Sequence, residues 1–329
     1  MASESRLAGL LTMLGSTKRR AWMVSAAAWV VLLAPGCSKN DTSQPLQSGA
    51  EQAPSVYAVN YPLTYFAERL APEGIEVVFP APPDVDPAFW KPTSDEIGRY
   101  QHANLILLNG AGYAHWTQRA TLPKSRVVIT AEGCRDTFLK TDDSVTHQHG
   151  PGGEHEHGSV AFTTWLDMRL AICQASRVRD ALFQLAPATR ASVQGNFDGL
   201  SRDLTQLDTL LRRATKASDG QSILASHPVY QYLADAYSLQ VVSMHLEPDL
   251  ALTPKDLQSL DSLLEQHRAT LMLWEAQPLP ETERVLRAKG ITTVVFSPAS
   301  QPPTHGDFLT VMTGNAERLA CATRGEACP

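Results

Sequence analysis

Short apolar runs recur along the chain in two groups. VYAV (56–59), IEVVF (75–79), LILL (105–108) and VVIT (127–130) form the first group, and SILA (222–225), QVVS (240–243), LMLW (271–274) and TVVF (293–296) the second. Runs that are apolar at every position suit strands buried on both faces, which is the pattern of a parallel sheet. Segments of helical period lie between them. Thr253-Pro254 reads as an N-cap followed by proline at the first helical position, and Leu257, Leu260 and Leu264 then mark one helix face. Two groups of strands alternating with helices imply two α/β lobes.

From Leu166 to Ala217 the strand signal disappears. Leu200, Leu204, Leu207 and Leu211 keep a 3-4 spacing, with Arg, Asp and Gln on the other faces. Pro187 follows LFQLA, so two helices are expected, the second from Pro187 to Lys216. The fold class is therefore α/β, two lobes with mostly parallel sheets joined by a long, stiff linking helix. The expected division is an N-terminal lobe over 55–165, linking helices over 166–217 and a C-terminal lobe over 218–329.

The first residues belong to export. Lys18, Arg19 and Arg20 precede an apolar run, Ala21 to Leu33, too short to span a bilayer comfortably. The run ends in APGC, which resembles the lipobox of bacterial lipoproteins, with Cys37 as the lipidated residue. A plain secretory signal cleaved nearby is the alternative. Residues 1–36 read as the signal peptide, and the polar, turn-rich stretch 37–54 reads as a tether. Either way the mature chain is expected outside the cytoplasm, and on the lipobox reading it is periplasmic or at the cell surface, held by a lipid anchor at Cys37.

Export changes the meaning of the cysteines. Besides Cys37 the chain has Cys134, Cys173, Cys321 and Cys328, which allow three pairings in an oxidising compartment. A Cys321–Cys328 bridge would pin the C-terminal tail. Hydrophobic residues at 43% and charged residues at 19% describe a globular chain, and a net charge of −6 gives no basic footprint for nucleic acid.

The segment THQHGPGGEHEHG (146–158) concentrates His147, His149, His155 and His157 around glycines and a proline. His-x-His places alternate side chains on one side of an extended segment, so the two pairs suit one divalent ion. The glycines make closure entropically costly, which favours exchangeable binding. A mobile loop without an ordered role is the alternative.

Four separated stretches carry a resemblance. ANLILLNGAGYAHW (103–116), HGSVAFTTWLDMRLA (157–171), SILASHPVYQYLADAYSLQVV (222–242) and LMLWEAQ (271–277) occur in the order found in the zinc/manganese substrate-binding lipoproteins of bacterial ABC importers, the ZnuA-like group. The resemblance implies a monomer that captures Zn2+, or Mn2+ or another divalent ion, between its lobes and delivers it to an ABC permease in the inner membrane. It also implies ligand positions, and the chain departs from the pattern at three of them. DPAFWKP (86–92) puts Ala88 where the first ligand histidine belongs, Thr163 stands at the second, and VVFSPAS (294–300) offers no late acidic residue. His227 matches the third.

The candidate site is therefore centred on His227, which follows a strand of the second lobe and so faces the crevice where α/β proteins bind ligands. Glu275 ends a strand of the same lobe and supplies an oxygen or orients a ligand. Asp86, beside Asp84, survives from the family turn, although Asp-Pro is also an ordinary turn opener. His115 lies after Asn109-Gly110, and a lone histidine there is as readily solvent-exposed. Phe89, Trp90, Tyr113 and Trp116 are expected to line the cleft, and His157 is placed to replace the missing second ligand. The chain carries no Gly-x-Ser-x-Gly elbow, Walker loop or His-Glu-x-x-His, so an enzyme is not expected. An altered cleft serving a metal-handling accessory protein or a non-metal ligand is the competing reading.

Overall fold

The computed structural model describes residues 53–141, 146–148, 154–156, 160–218 and 220–326. The signal peptide, Cys37 and most of the tether lie outside the described residues, as do His149, His157 and Cys328. Chain order begins with β1 (Ser55–Ala58), α1 (Tyr61–Leu70), β2 (Glu76–Val78), α2 (Ser94–His102), β3 (Leu105–Leu108) and β4 (Val127–Ile129). All four strands pair in parallel, in the order β2-β1-β3-β4. Each apolar run has become a strand, within a residue or two of its expected limits.

The His-rich segment leaves this lobe as a hairpin of β5 (Thr146–Gln148) and β6 (Glu154–Glu156), antiparallel, with His147 opposite His155. A bridge between Lys140 and Val160 closes its base. The return leads into α3 (Met168–Leu185) and α4 (Arg190–Thr215), the latter of 26 residues. Asp167 caps α3 by accepting from the Arg169 amide. On α4 the leucines at 200, 204, 207 and 211 are all buried, as their spacing requires, each contributing about 2 kcal/mol of burial.

The second lobe repeats the first. It runs β7 (Ser222–Ala225), α5 (Gln231–Tyr237), β8 (Gln240–Ser243), α6 (Pro254–His267), β9 (Leu271–Trp274), α7 (Pro280–Ala288), β10 (Thr292–Val295) and α8 (Phe308–Thr323). Its strands are also all parallel, ordered β10-β9-β7-β8. Thr253 and Asp256 form a capping box at the start of α6, which fixes that helix at its expected proline. One apolar core runs from the first sheet through α3, α4 and α8 to the second sheet, and a smaller one fills the space under α6 and α7. Among the described residues no helix is long and apolar enough to cross a membrane.

The cysteines resolve differently from the expectation. Cys134, after β4, is bonded to Cys173 on α3. Cys321 is a free, buried thiol that donates to the Glu326 carbonyl. Cys328, the expected partner of Cys321, lies outside the described residues.

Candidate metal centre

The two sheets face each other through the loops at their C-terminal ends. The Tyr61 amide donates to the Ser300 carbonyl at 3.0 Å and Trp165 Nε1 to the Pro298 carbonyl at 2.7 Å. Thr163 Oγ1 donates to the Val229 carbonyl at 2.5 Å, and Gln301 Nε2 to the Pro82 and Val85 carbonyls at 2.7 and 2.6 Å. In each sheet the strand order reverses at one place, between β1 and β3 and between β7 and β9. Adjacent loops leave in opposite directions at such a switch point and open a crevice there.

In the second lobe that point is chemically rich. His227, two residues beyond β7, is 2% exposed. Its Nδ1 lies 3.1 Å from Glu275 Oε1, and its Nε2 lies 3.4 Å from Glu247 Oε1. Glu275 directly follows β9. Glu247 follows β8, whose path is continued beside β7 by bonds from the Met244 amide to the Ala225 carbonyl (2.8 Å) and from the Leu246 amide to the Ser226 carbonyl (2.9 Å). The same turn carries His245, whose ring lies 6.3 Å from that of His227. Burial alone would push the His227 imidazole down, but Glu247 and Glu275 outweigh it and raise it to about 10. Two carboxylates flanking a cationic ring make this a place that attracts positive charge.

The first lobe is built differently at the equivalent point. Asn60 and Asn109 leave β1 and β3, and both are fully buried. Asn60 Nδ2 donates to Asn109 Oδ1 at 3.4 Å, Gln174 Nε2 to the same oxygen at 3.0 Å and to Thr130 Oγ1 at 3.0 Å. Thr164 Oγ1 also reaches Asn109 Oδ1, at 3.2 Å, and Asn109 Nδ2 reaches the Phe162 carbonyl at 2.9 Å. This amide network fixes the 162–164 segment against the sheet and so sets the position of Thr163.

The remaining expected ligands are occupied elsewhere. Asp86 is exposed, and its Oδ1 accepts from the Ala88 amide at 2.8 Å, the turn-forming role. His115 is half-buried, edge-on to Phe89 at 5.3 Å, and burial followed by the nearby Arg119 lowers its pKa. Of the aromatic residues expected in the cleft, Trp90, Tyr113 and Trp116 are buried core and only Phe89 is partly exposed. Trp90 and Tyr100 both pack on Trp116, which accounts for that burial. His227 and Glu275 are thus brought together as expected, while His245 and Glu247 were not anticipated. Their one sequence signal is the His-x-Glu of MHLEP (244–248) just past a strand. Among the described residues no three His, Cys, Asp or Glu side chains are already disposed around a common metal position.

Facing parallel sheets, a connecting helical segment and a charged switch-point site define a two-lobed α/β binding protein. Residues 56–322 match the family model described as zinc-uptake complex component A, periplasmic (ZnuA), and the chain belongs to that family. It is similar to the high-affinity zinc uptake system protein ZnuA of Bacillus subtilis, 24% identical over 256 residues, covering 74% of this chain and 77% of the relative. The zinc-binding protein AdcA of Streptococcus pyogenes is 21% identical over 300 residues, which span 85% of this chain but 58% of AdcA. Among solved structures, the metal-dependent lipoprotein YcdH of Bacillus subtilis has a TM-score of 0.69 at 19% identity, over 81% of this chain and 98% of that one. The Zn(II)-bound ZnuA-like domain of Streptococcus pneumoniae AdcA also has a TM-score of 0.69 at 19% identity, over 82% and 98%. At these identities the structures establish the fold.

Proposed function

We propose that this chain is an exported substrate-binding protein that captures a divalent metal ion, zinc foremost, between its lobes and delivers it to an ABC import permease. The observation that carries the reading is His227, buried at the switch point of the second lobe between Glu247 and Glu275. Imidazole nitrogen and carboxylate oxygen together suit Zn2+, and Mn2+ to a lesser degree. Family membership supports the same reading, as do relatives named for zinc uptake and a manganese-binding lipoprotein, MntA of Halalkalibacterium halodurans, 21% identical over 217 residues. In this reading Cys37 carries the lipid anchor, and the protein works as a monomer on the outer face of the membrane.

The His-rich hairpin serves as a collecting site of lower affinity. Its register pairs position 147 with position 155. His149 and His157 complete the donor set in this reading. Asp86 and His115 have no part in it.

The test is zinc titration by calorimetry on the soluble form that starts after Cys37. His227→Ala is expected to abolish one tight site, a loss of 100-fold or more, and deletion of residues 147–157 to remove weak sites only. If His227→Ala binds zinc as the parent does and all binding goes with the hairpin, the metal reading of the cleft is wrong.

A further inference from the structure

The lobes meet along two seams. One is the loop after β10, where the Ser300 and Pro298 carbonyls accept from the Tyr61 amide and Trp165 Nε1, and Gln301 donates to the Pro82 and Val85 carbonyls. The other is α5 with the turn before it. Thr163 Oγ1 donates to the Val229 carbonyl at 2.5 Å, the Leu139 amide to Tyr232 Oη at 3.4 Å, and Arg135 Nη1 to Asp235 Oδ2 at 3.0 Å. The Arg135 guanidinium also lies over the Tyr232 ring, 5.9 Å from its centroid. All three first-lobe residues of this second seam flank the His-rich segment: Arg135 and Leu139 lead into it, and Thr163 follows it.

We propose that these two flanks act as a clasp on α5. They hold the His227 turn closed in the ligand-free chain, and the cleft opens to His227 when Arg135, Leu139 and Thr163 let go. The clasp consists of residues 134–139 and 160–163, and it operates whichever ligand the cleft takes.

Both flanks are rooted on their own side of the seam, as a clasp requires. Cys134, next to Arg135, is bonded to Cys173 on α3. Thr164, next to Thr163, donates to Asn109 Oδ1 at 3.2 Å and to Gln174 Oε1 at 3.1 Å inside the core. The flanks are also tied to each other, because the Ala161 amide donates to the Leu139 carbonyl at 2.9 Å. Arg135 Nε donates to the Thr137 carbonyl at 2.9 Å, which fixes one edge of the guanidinium and leaves Nη1 for Asp235. On the far side the grip falls on Val229, Tyr232 and Asp235. The Val229 amide donates to the His227 carbonyl at 3.0 Å, so the carbonyl held by Thr163 and the ring at the site belong to one tight turn. His227 is 2% exposed, so a ligand reaches its ring only after the surroundings move. Arg135 and Asp235 are part-exposed, at 27% and 44%, and such a pair contributes little by itself. Two neutral hydrogen bonds add modestly to it. The closed form is therefore favoured by a ratio that each contact shifts, and the clasp can release.

Hydrogen exchange on the metal-free chain that starts after Cys37 tests the clasp, because each seam has its own reporter. The Leu139 amide donates across the α5 seam and the Tyr61 amide across the β10 seam. Thr163→Val, which keeps the shape and removes the hydroxyl, is expected to speed exchange at Leu139 and Val229 about 10-fold. Arg135→Gln is expected to speed it about threefold, and the double variant by roughly the product. Tyr61 and the amides of β9 are expected to keep parent rates. Equal acceleration at Leu139, Tyr61 and β9 is a plain loss of stability and overturns the proposal, as does a parent rate at Leu139 in the double variant. Stopped-flow zinc association gives a second readout that rests on the metal reading: the double variant is expected to bind several-fold faster than the parent. Unchanged zinc association beside faster Leu139 exchange overturns the control of access. A parent chain that binds no zinc removes the metal reading and leaves the clasp to be decided by exchange.

Discussion

At the switch point of the first lobe Asn60 leaves β1 and Asn109 leaves β3; at that of the second, His227 leaves β7 and Glu275 follows β9. The two places are equivalent in strand order and opposite in chemistry. The first is filled by neutral amides and hydroxyls whose donors and acceptors answer one another through Gln174, Thr164 and Thr130. Such a set has nothing left to offer a ligand and serves to hold the fold. The second sets an imidazole between carboxylates, an arrangement that compensates a buried positive charge. A shared topology thus supplies a position, and side-chain chemistry alone decides whether the position becomes a site.

If the first lobe is scaffold, damage to its braces should cost stability and leave zinc binding intact. The largest effect is expected from its disulfide. Cys134–Cys173 closes a loop of 39 residues, and a loop of that length is worth about 4 kcal/mol by chain entropy. The double variant Cys134→Ser/Cys173→Ser should lower the denaturant midpoint accordingly while keeping the stoichiometry of tight zinc. Next is Gln174→Leu, which strips Asn109 Oδ1 and Thr130 Oγ1 of a shared donor inside the core. Leaving such groups short of partners costs about 2–3 kcal/mol, roughly 4–10 °C of Tm in a chain of this size. Either variant breaks the contrast if tight zinc binding disappears from protein that remains folded.

The fold was legible because its signals are local. An uninterrupted apolar run such as LMLW reports burial on both faces, and the spacing of Leu200, Leu204, Leu207 and Leu211 reports a helix face, whatever the rest of the chain does. His227 could be found for the same reason: it follows a strand. His245 and Glu247 could not, because their importance comes from β8 lying next to β7, and adjacency in a sheet is set by topology that no local pattern records. The aromatic residues failed in the opposite sense. Trp90, Tyr113 and Trp116 sit in segments that read as loops, yet they fill the core, since loops between buried strands must cover them with something apolar. The fate of Thr163 was also hidden, because its partner Val229 is far away in sequence.

The smallest effect sharpens the contrast between the lobes with one residue type. His115 in the first lobe has its pKa lowered by burial and by Arg119; in His227 burial acts in the same direction, but Glu247 and Glu275 reverse it and raise the value to about 10. The two histidines should therefore act on stability in opposite directions in metal-free protein. A group whose folded pKa is depressed binds its proton more readily when unfolded, so His115 subtracts stability as pH falls below about 6.5. His227, with its pKa raised, contributes stability that is fully present below about 6.5 and is lost as pH climbs towards 10. The His115 contribution is the smaller of the two, because the ring is only half-buried and solvent screens it. Imidazole proton resonances followed from pH 4 to 11 in metal-free protein, assigned with His115→Gln and His227→Gln, measure both directly. His115 is expected to titrate below the usual histidine range and His227 far above it. A His227 resonance that titrates near 6.5 would mean that the carboxylates do not hold charge on this ring, and the second lobe would lose the electrostatic feature that distinguishes it from the first.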